Sequence, residues 1–440
     1  MKRIISLIIA VLMLLSAASC AAIPDETKPA ETKEKESEVT YEEFKGETGN
    51  YSGAEFTSIA NMSVKIKDVY GDDYYQKCNE YYEQSKSLAA FYDRLYQKLL
   101  DGDKSGAVSP VNIYMALSLL AECTDGNSRK EILDTLGVSS IEQLREQSKL
   151  IWLYNNRDGE EGITALANSI WLKNGLPVKE SCVNILKDEH YASTFTGDFA
   201  KTEYVNAFKQ WLSDMTKGLL DNSINGLNIP AETAAILAST LYYKASWWNE
   251  YKATESGKFD GKNCTFNKKT ADGIIYSGKG FTAYADGLSD GNRIWFFLPD
   301  KNKTVSDVLG SGVVSFIKDN RDGGKSYEVT VRMPDFDVSL DKSIKEALSD
   351  LGITECMDPD KADFSALSDG DLYLDNVIHA ARVKANKDGV EGAAYTVMTL
   401  NATGMPEAKP KYDFTLDRPF VFVVENNGTP LFVGCVNEVN

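Results

Sequence analysis

Apolar residues recur at helical spacing in three places. Leu88, Phe91, Leu95 and Leu99 lie three or four positions apart, which puts them on one face of a helix. Ile113, Ala116, Leu117 and Leu120 do the same behind Ser109-Pro110, with proline suited to a first turn. Residues 341–351 predict a third helix, with Ile344, Leu348 and Leu351 on one face and Gly352 as its stop. Elsewhere the period is two. Tyr327, Val329, Val331 and Met333 alternate with Glu328, Thr330 and Arg332, a strand with one wet face. The runs 294–298, 236–243 and 420–424 are continuously apolar, as in strands covered on both faces. Helices mainly early and strands mainly late predict an α+β fold rather than a βα alternation.

The N-terminus breaks this pattern. Lys2 and Arg3 precede an apolar stretch, residues 4–18, that is too short to span a membrane comfortably. It ends in Leu15-Ser16-Ala17-Ala18-Ser19-Cys20. Small residues running into a cysteine resemble a bacterial lipobox, which makes 1–19 a lipoprotein signal peptide and Cys20 a lipidated mature N-terminus. Plain secretion with a spare thiol is the simpler alternative. From Cys20 to residue 54 the chain is rich in Pro, Thr, Glu and Lys, too polar to offset chain entropy, and reads as a solvated tether. Residues 55–440 contain no repeat and no second linker, so one domain is expected there.

Charge narrows the chemistry. Forty-seven Lys and Arg against 65 Asp and Glu leave a net −18, which argues against nucleic acid as a partner. The two histidines, His190 and His379, limit triads and zinc sites, and no cofactor or metal is expected. HExxH, GxSxG, GxxxxGK[ST] and a post-strand GxGxxG are all missing from the sequence. His379 follows Asn376-Val377-Ile378 and reads as a hydrogen-bonded core residue, not a base. Six cysteines besides Cys20 are widely spread; disulfides are permitted outside the cell, but sequence does not pair them.

Several segments together carry a family likeness. They are Ser109-Pro110-Val111-Asn112-Ile113; Ala167-Asn168-Ser169-Ile170-Trp171-Leu172; Trp211 with Thr216 and Gly218; Leu241-Tyr242-Tyr243-Lys244-Ala245-Ser246-Trp247; Asp363-Phe364-Ser365; residues 414–420, FTLDRPF; and Leu431-Phe432-Val433-Gly434. Residues 384–405, KANKDGVEGAAYTVMTLNATGM, resemble a hinge and reactive-centre loop. In this order the segments resemble the serpins across nearly the whole body. The resemblance implies a single serpin domain with a large central, mostly antiparallel sheet, further sheets and about eight or nine helices. It implies an inhibitor rather than an enzyme. A protease would attack an exposed loop at about 389–411, form an acyl-enzyme, and be carried across the molecule as the cut loop joins the central sheet.

The loop's residues suit that chemistry on their own terms. A loop that becomes a central strand must lack proline, and there is none from Gly389 to Met405. Alternate positions must be small or apolar: Val390, Gly392, Ala394, Thr396, Met398 and Leu400 form the inward set. Glu391, Ala393, Tyr395, Val397 and Thr399 form the outward one. About fifteen residues of strand span roughly 50 Å, enough to cross one domain. Counting from Gly389 by the family's loop length puts the scissile bond at Thr403-Gly404, whereas counting back from Phe414 shifts it toward Met405-Pro406. A small β-branched residue suits an elastase-like pocket. A non-inhibitory binding serpin and a cross-class inhibitor of papain-like cysteine proteases stay open as alternatives.

Two further clusters follow from the resemblance. The shutter beneath the opening strands maps to Ser109, Asn112, Ser239 and His379, with Asn112 and Ser239 exchanged relative to the usual serine and asparagine. The breach, where the loop first enters, maps to Trp247, Asp335 and Lys387, and an inverted Lys387–Asp335 salt bridge is expected there. The hinge comprises Lys387, Gly389, Val390, Glu391, Gly392, Ala393, Ala394 and Thr396. The expected partners are a target serine protease and, through Cys20, a membrane; a monomer outside the cell, anchored to a bacterial envelope, is the expected state.

Overall fold

The computed structural model describes residues 5–10 by backbone alone, and 51–58, 64–321, 323–391 and 409–439. Leu88, Phe91, Leu95 and Leu99 line the buried face of helix Tyr74–Leu99. Helix Pro110–Cys123 is buried along its whole length, which its apolar composition requires, since no polar face is left to meet water. Ser109 caps it, its Oγ accepting the Asn112 N–H at 3.4 Å. Eleven α-helical segments occur among the described residues, four of them only five or six residues long. The expected eight or nine falls between the counts with and without these short turns.

Two nine-stranded sheets carry the rest. In the first, Phe336–Ser343 pairs antiparallel with Leu372–Ala385, and Ala235–Ser246 pairs antiparallel with Gly162–Lys173, which continues to Ala192–Gly197 and Glu55–Ser58. The strands Leu372–Ala385 and Ala235–Ser246 are not paired with each other. A slot runs between them. Its upper end holds the two-residue strand Gly389–Val390, antiparallel to both walls. Its lower half holds Ile5–Ala10, parallel to both walls. In the leader reading that segment is removed from the mature chain.

The second sheet contains the remaining predicted strands. Arg293–Pro299 and Phe420–Asn426 pair in its buried middle. Lys325–Pro334 buries Val329, Val331 and Met333 and leaves Glu328, Thr330 and Arg332 half-exposed, the expected one-sided alternation. One element is corrected. Residues 341–343 end the strand Phe336–Ser343, and the helix is confined to Lys345–Asp350. Asp341, Lys342 and Ser343 register against Ala380, His379 and Ile378, so sheet pairing overrides the local helical spacing. Ile344 and Leu348 are buried, and Gly352 ends the segment at φ +106°.

Candidate functional site

The head of the slot is built by one tight turn. After Leu372–Ala385 the chain reverses at Asn386, whose Oδ1 accepts the N–H groups of Asp388 at 2.8 Å and Gly389 at 3.3 Å. The backbone then returns as Gly389–Val390, with Val390 opposite both Ala385 and Ala245. Val390 is buried, 2% exposed. A Cβ on Gly389 would lie 2.3 Å from the Ala245 carbonyl oxygen, so only glycine lets the strands approach this closely. Glu391 follows at φ +66°, its N–H donating to the Lys384 carbonyl at 2.7 Å. Its side chain is not fully outward as expected: burial beside Tyr242 pushes its carboxyl above the ordinary range.

Trp247 closes the head of the slot from the other wall. Its Nε1–H donates to the Asn386 carbonyl at 2.8 Å. The expected Lys387–Asp335 salt bridge does not form. Lys387 is exposed and reaches Asp388 at 3.6 Å, while Asp335 Oδ1 accepts from Asn267 Nδ2 at 2.6 Å. The turn at Asn386 aims Lys387 at solvent, and a neighbouring strand supplies a nearer donor for Asp335.

Midway down the walls lie Ser109, Asn112, Ser239 and His379, all buried. Asn112 Nδ2 donates to the Ser239 carbonyl at 3.1 Å, and Ser239 Oγ donates to Asn112 Oδ1 at 2.5 Å. The exchanged asparagine and serine therefore meet each other. His379 sits apart from that pair: its Nε2 accepts the Ser109 backbone N–H at 3.0 Å. Nε2 is thus the unprotonated nitrogen and Nδ1 carries the proton. Nδ1 has no hydrogen-bond partner among the described residues. Burial, with Lys342 nearby, pushes the imidazole down to about 3, so it is neutral and serves as a structural acceptor.

His190 has a different setting. It lies 3.0 Å from Glu122, which also takes two 2.9 Å bonds from Arg145, a buried network far along the chain from the hinge. The six cysteines among the described residues are free thiols. No group of three or more His, Cys, Asp or Glu side chains among the described residues is placed to hold a metal ion. Gly392, Ala393, Ala394, Thr396, Thr403, Gly404 and Cys20 lie outside the described residues.

An open sheet with a loop entering at its head and a buried polar cluster below is matched by one family model, serpin (serine protease inhibitor), over residues 86–439. The chain belongs to the serpin family. Among curated serpins it is 28% identical to Serpin-Z2B of Oryza sativa subsp. japonica, covering 79% of this chain and 96% of that one. It is 25% identical to the neuroserpin of Mus musculus, over 76% and 86% of the two chains. An uncharacterised serpin-like protein of Thermococcus kodakarensis is also 25% identical, over 79% and 84%. Among solved structures, the thermophilic serpin tengpin in its native state superposes with a TM-score of 0.70 at 25% identity, over 81% of this chain and 94% of that one. Serpins are generally protease inhibitors rather than enzymes, and some are non-inhibitory. Sequence reasoning missed Asn386 and Tyr242 at the hinge. Asn386 precedes Lys387-Asp388-Gly389, a turn-forming run, and so was within reach of it.

Proposed function

We propose that this serpin is an inhibitory one, trapping an extracellular serine protease of elastase-like preference at Thr403-Gly404 while held to a bacterial envelope by a lipid on Cys20. The protease serine attacks the Thr403 carbonyl, the Thr403–Gly404 bond breaks, and the amine on Gly404 departs as an acyl ester forms on Thr403. The loop, free at that end, extends the strand begun by Gly389–Val390.

The observation that carries this reading is the register at the head of the slot. Val390 faces Ala385 on one wall and Ala245 on the other. Continued residue by residue, that pairing sets Gly392 opposite Val383 and Tyr243, and Ala394 opposite Ala381 and Leu241. Thr396 then falls opposite His379 and Ser239, and Thr403 reaches the Leu372 end of the strand. The two walls keep this alignment as far down as the polar cluster. Ala10 pairs with both Ile378 and Ala238, the same two residues the continued register brings together. Between Ile8 and Leu7 the register against Leu372–Ala385 shifts by one residue. The slot thus takes a third strand in both halves, and in the continued register Gly392 meets the larger Val383 and Tyr243. Thr396 would bring a hydroxyl to the level of the imidazole whose Nδ1–H has no acceptor among the described residues. Such a buried donor gains about 1–3 kcal/mol when satisfied.

The test is incubation of the mature chain with elastase-type, trypsin-type, subtilisin-type and papain-type proteases. Complexes are read by denaturing gel and the cut is located by mass spectrometry. An SDS-stable band with the elastase type, cut after Thr403, is expected. Cleavage without any band refutes inhibition, and a band with the papain type alone replaces the serine-protease target by a cysteine-protease one.

A further inference from the structure

Behind Trp247 lies a charged pair that the insertion chemistry does not use. Lys269 and Asp286 are each about 3% exposed at the side chain and lie 2.6 Å apart. Lys269 comes from Lys262–Gly278 and Asp286 from Phe281–Gly287, adjacent strands of the second sheet. Lys269 Nζ also donates to the Asn249 carbonyl at 2.9 Å. It stands 5.3 Å from the centre of the Trp247 ring and 4.3 Å from that of Tyr251, and the two rings meet edge to face. Asp286 accepts the Tyr251 hydroxyl at 2.9 Å. A buried ion pair is a poor source of net stability, because desolvation offsets its attraction. Its fixed geometry is what it adds.

That geometry converges on the hinge. The Lys269 ammonium fixes the face of the indole by cation–π attraction. From its edge the same indole donates Nε1–H to the Asn386 carbonyl, in the turn that delivers Gly389 and Val390 into the slot. We infer that Lys269 and Asp286 are positioning residues for the hinge: they lock the Trp247 ring so that it clamps the Asn386 turn and restrains the loop from advancing past Val390. The clamp's effect on trapping rests on the inhibitory reading above; the clamp itself does not.

The experiment compares the mature wild-type chain with Trp247→Phe, with Lys269→Met/Asp286→Asn, and with all three changes together. The asparagine keeps an acceptor for Tyr251. Amide hydrogen exchange is followed across 385–391, and the rate of spontaneous loss of protease trapping is followed on mild heating. Trp247→Phe should speed exchange at Asp388 and Gly389 by about tenfold, as for one lost hydrogen bond. The charge-free pair should do the same, and the triple variant no more than either. Lys269→Arg, which retains the charge over the rings, should exchange like wild type, and it keeps the test decisive should the charge-free variant fail to fold. Effects that multiply in the triple variant overturn the proposal, as does exchange left unchanged by the charge removal. Non-additive exchange in a protein that forms no covalent complex with any protease would retain the clamp and discard the inhibitory reading.

Discussion

Asn112 and Ser239 exchange two hydrogen bonds, and both residues are buried. Asn112→Ser alone should therefore destabilise by about 1–3 kcal/mol, since Ser239 loses its acceptor. Adding Ser239→Asn should restore much of this in urea unfolding, whereas additive losses would show that the two side chains act independently. His379 makes a pH prediction. Its folded value, about 3, lies below the ordinary 6.5, so the unfolded chain binds the extra proton as pH falls. Its contribution is intact above about 6.5 and is lost progressively from there toward 3. By pH 5 the loss from this one group should be about 2 kcal/mol. Comparing wild type with His379→Asn at pH 7.5 and 5 isolates it; equal losses in the two proteins would assign the titration elsewhere. The residue scale is also where sequence reasoning was weakest. Lys387 and Asp335 carry opposite signs, but which way each points depends on a turn at Asn386 and on Asn267 from another strand. Lys269 follows Lys268 and reads as half of an ordinary surface pair. Nothing in its neighbourhood reveals that Lys269 is buried against two rings and Lys268 is not.

Elements were far more legible, because periodicity is a property of many residues at once. The helix containing Leu88–Leu99, the one-sided strand through Val329 and Val331, and the doubly covered runs at Ile294 and Phe420 all appear where their patterns put them. The exception is instructive. Residues 341–343 fit the spacing of the helix that follows, but they are claimed by eight residues of ladder against Leu372–Ala385, with partners 35 to 39 positions away that no local window sees. At this scale the hinge strand is the sensitive element. Val390 is buried between two alanines, where a cation would be stripped of water. Val390→Arg should expel Gly389–Val390 from the slot, because desolvating the guanidinium costs several kcal/mol. The expected outcome is a chain that proteases still cut at the loop but that runs as cleaved monomer on a denaturing gel. Undiminished covalent complex would mean that trapping does not proceed through this entry point.

For the whole molecule, the anchor and the slot make separate demands. If Cys20 carries the lipid, Cys20→Ser should move the protein from the membrane pellet to the medium, since a single weak membrane contact is not enough for stable retention. Equal retention of both forms would remove the lipid and leave the acidic tether as a plain linker. The slot makes the more exacting prediction, because it joins residues that are distant in sequence into one ladder. Val390 sets the register and the walls hold it down to His379 and Ser239; in the proposed insertion Thr396 is the loop residue that would arrive there. Thr396→Val keeps the β-branched shape and removes only the hydroxyl. In the proposed inhibitory cycle, where the loop joins the sheet only after cleavage, it should leave the uncut protein's stability unchanged within about 0.5 kcal/mol. After cleavage the same change should lower the stability of the inserted form by about 1–3 kcal/mol, the consequence of leaving the His379 Nδ1–H unpaired. In the His379→Asn background, Thr396→Val should then lose most of that effect. Denaturant midpoints of the uncut and cut forms of all four proteins measure it directly. A cut form indifferent to Thr396→Val, or losses that simply add to those of His379→Asn, would place the inserted loop in a different register from the one Val390 begins.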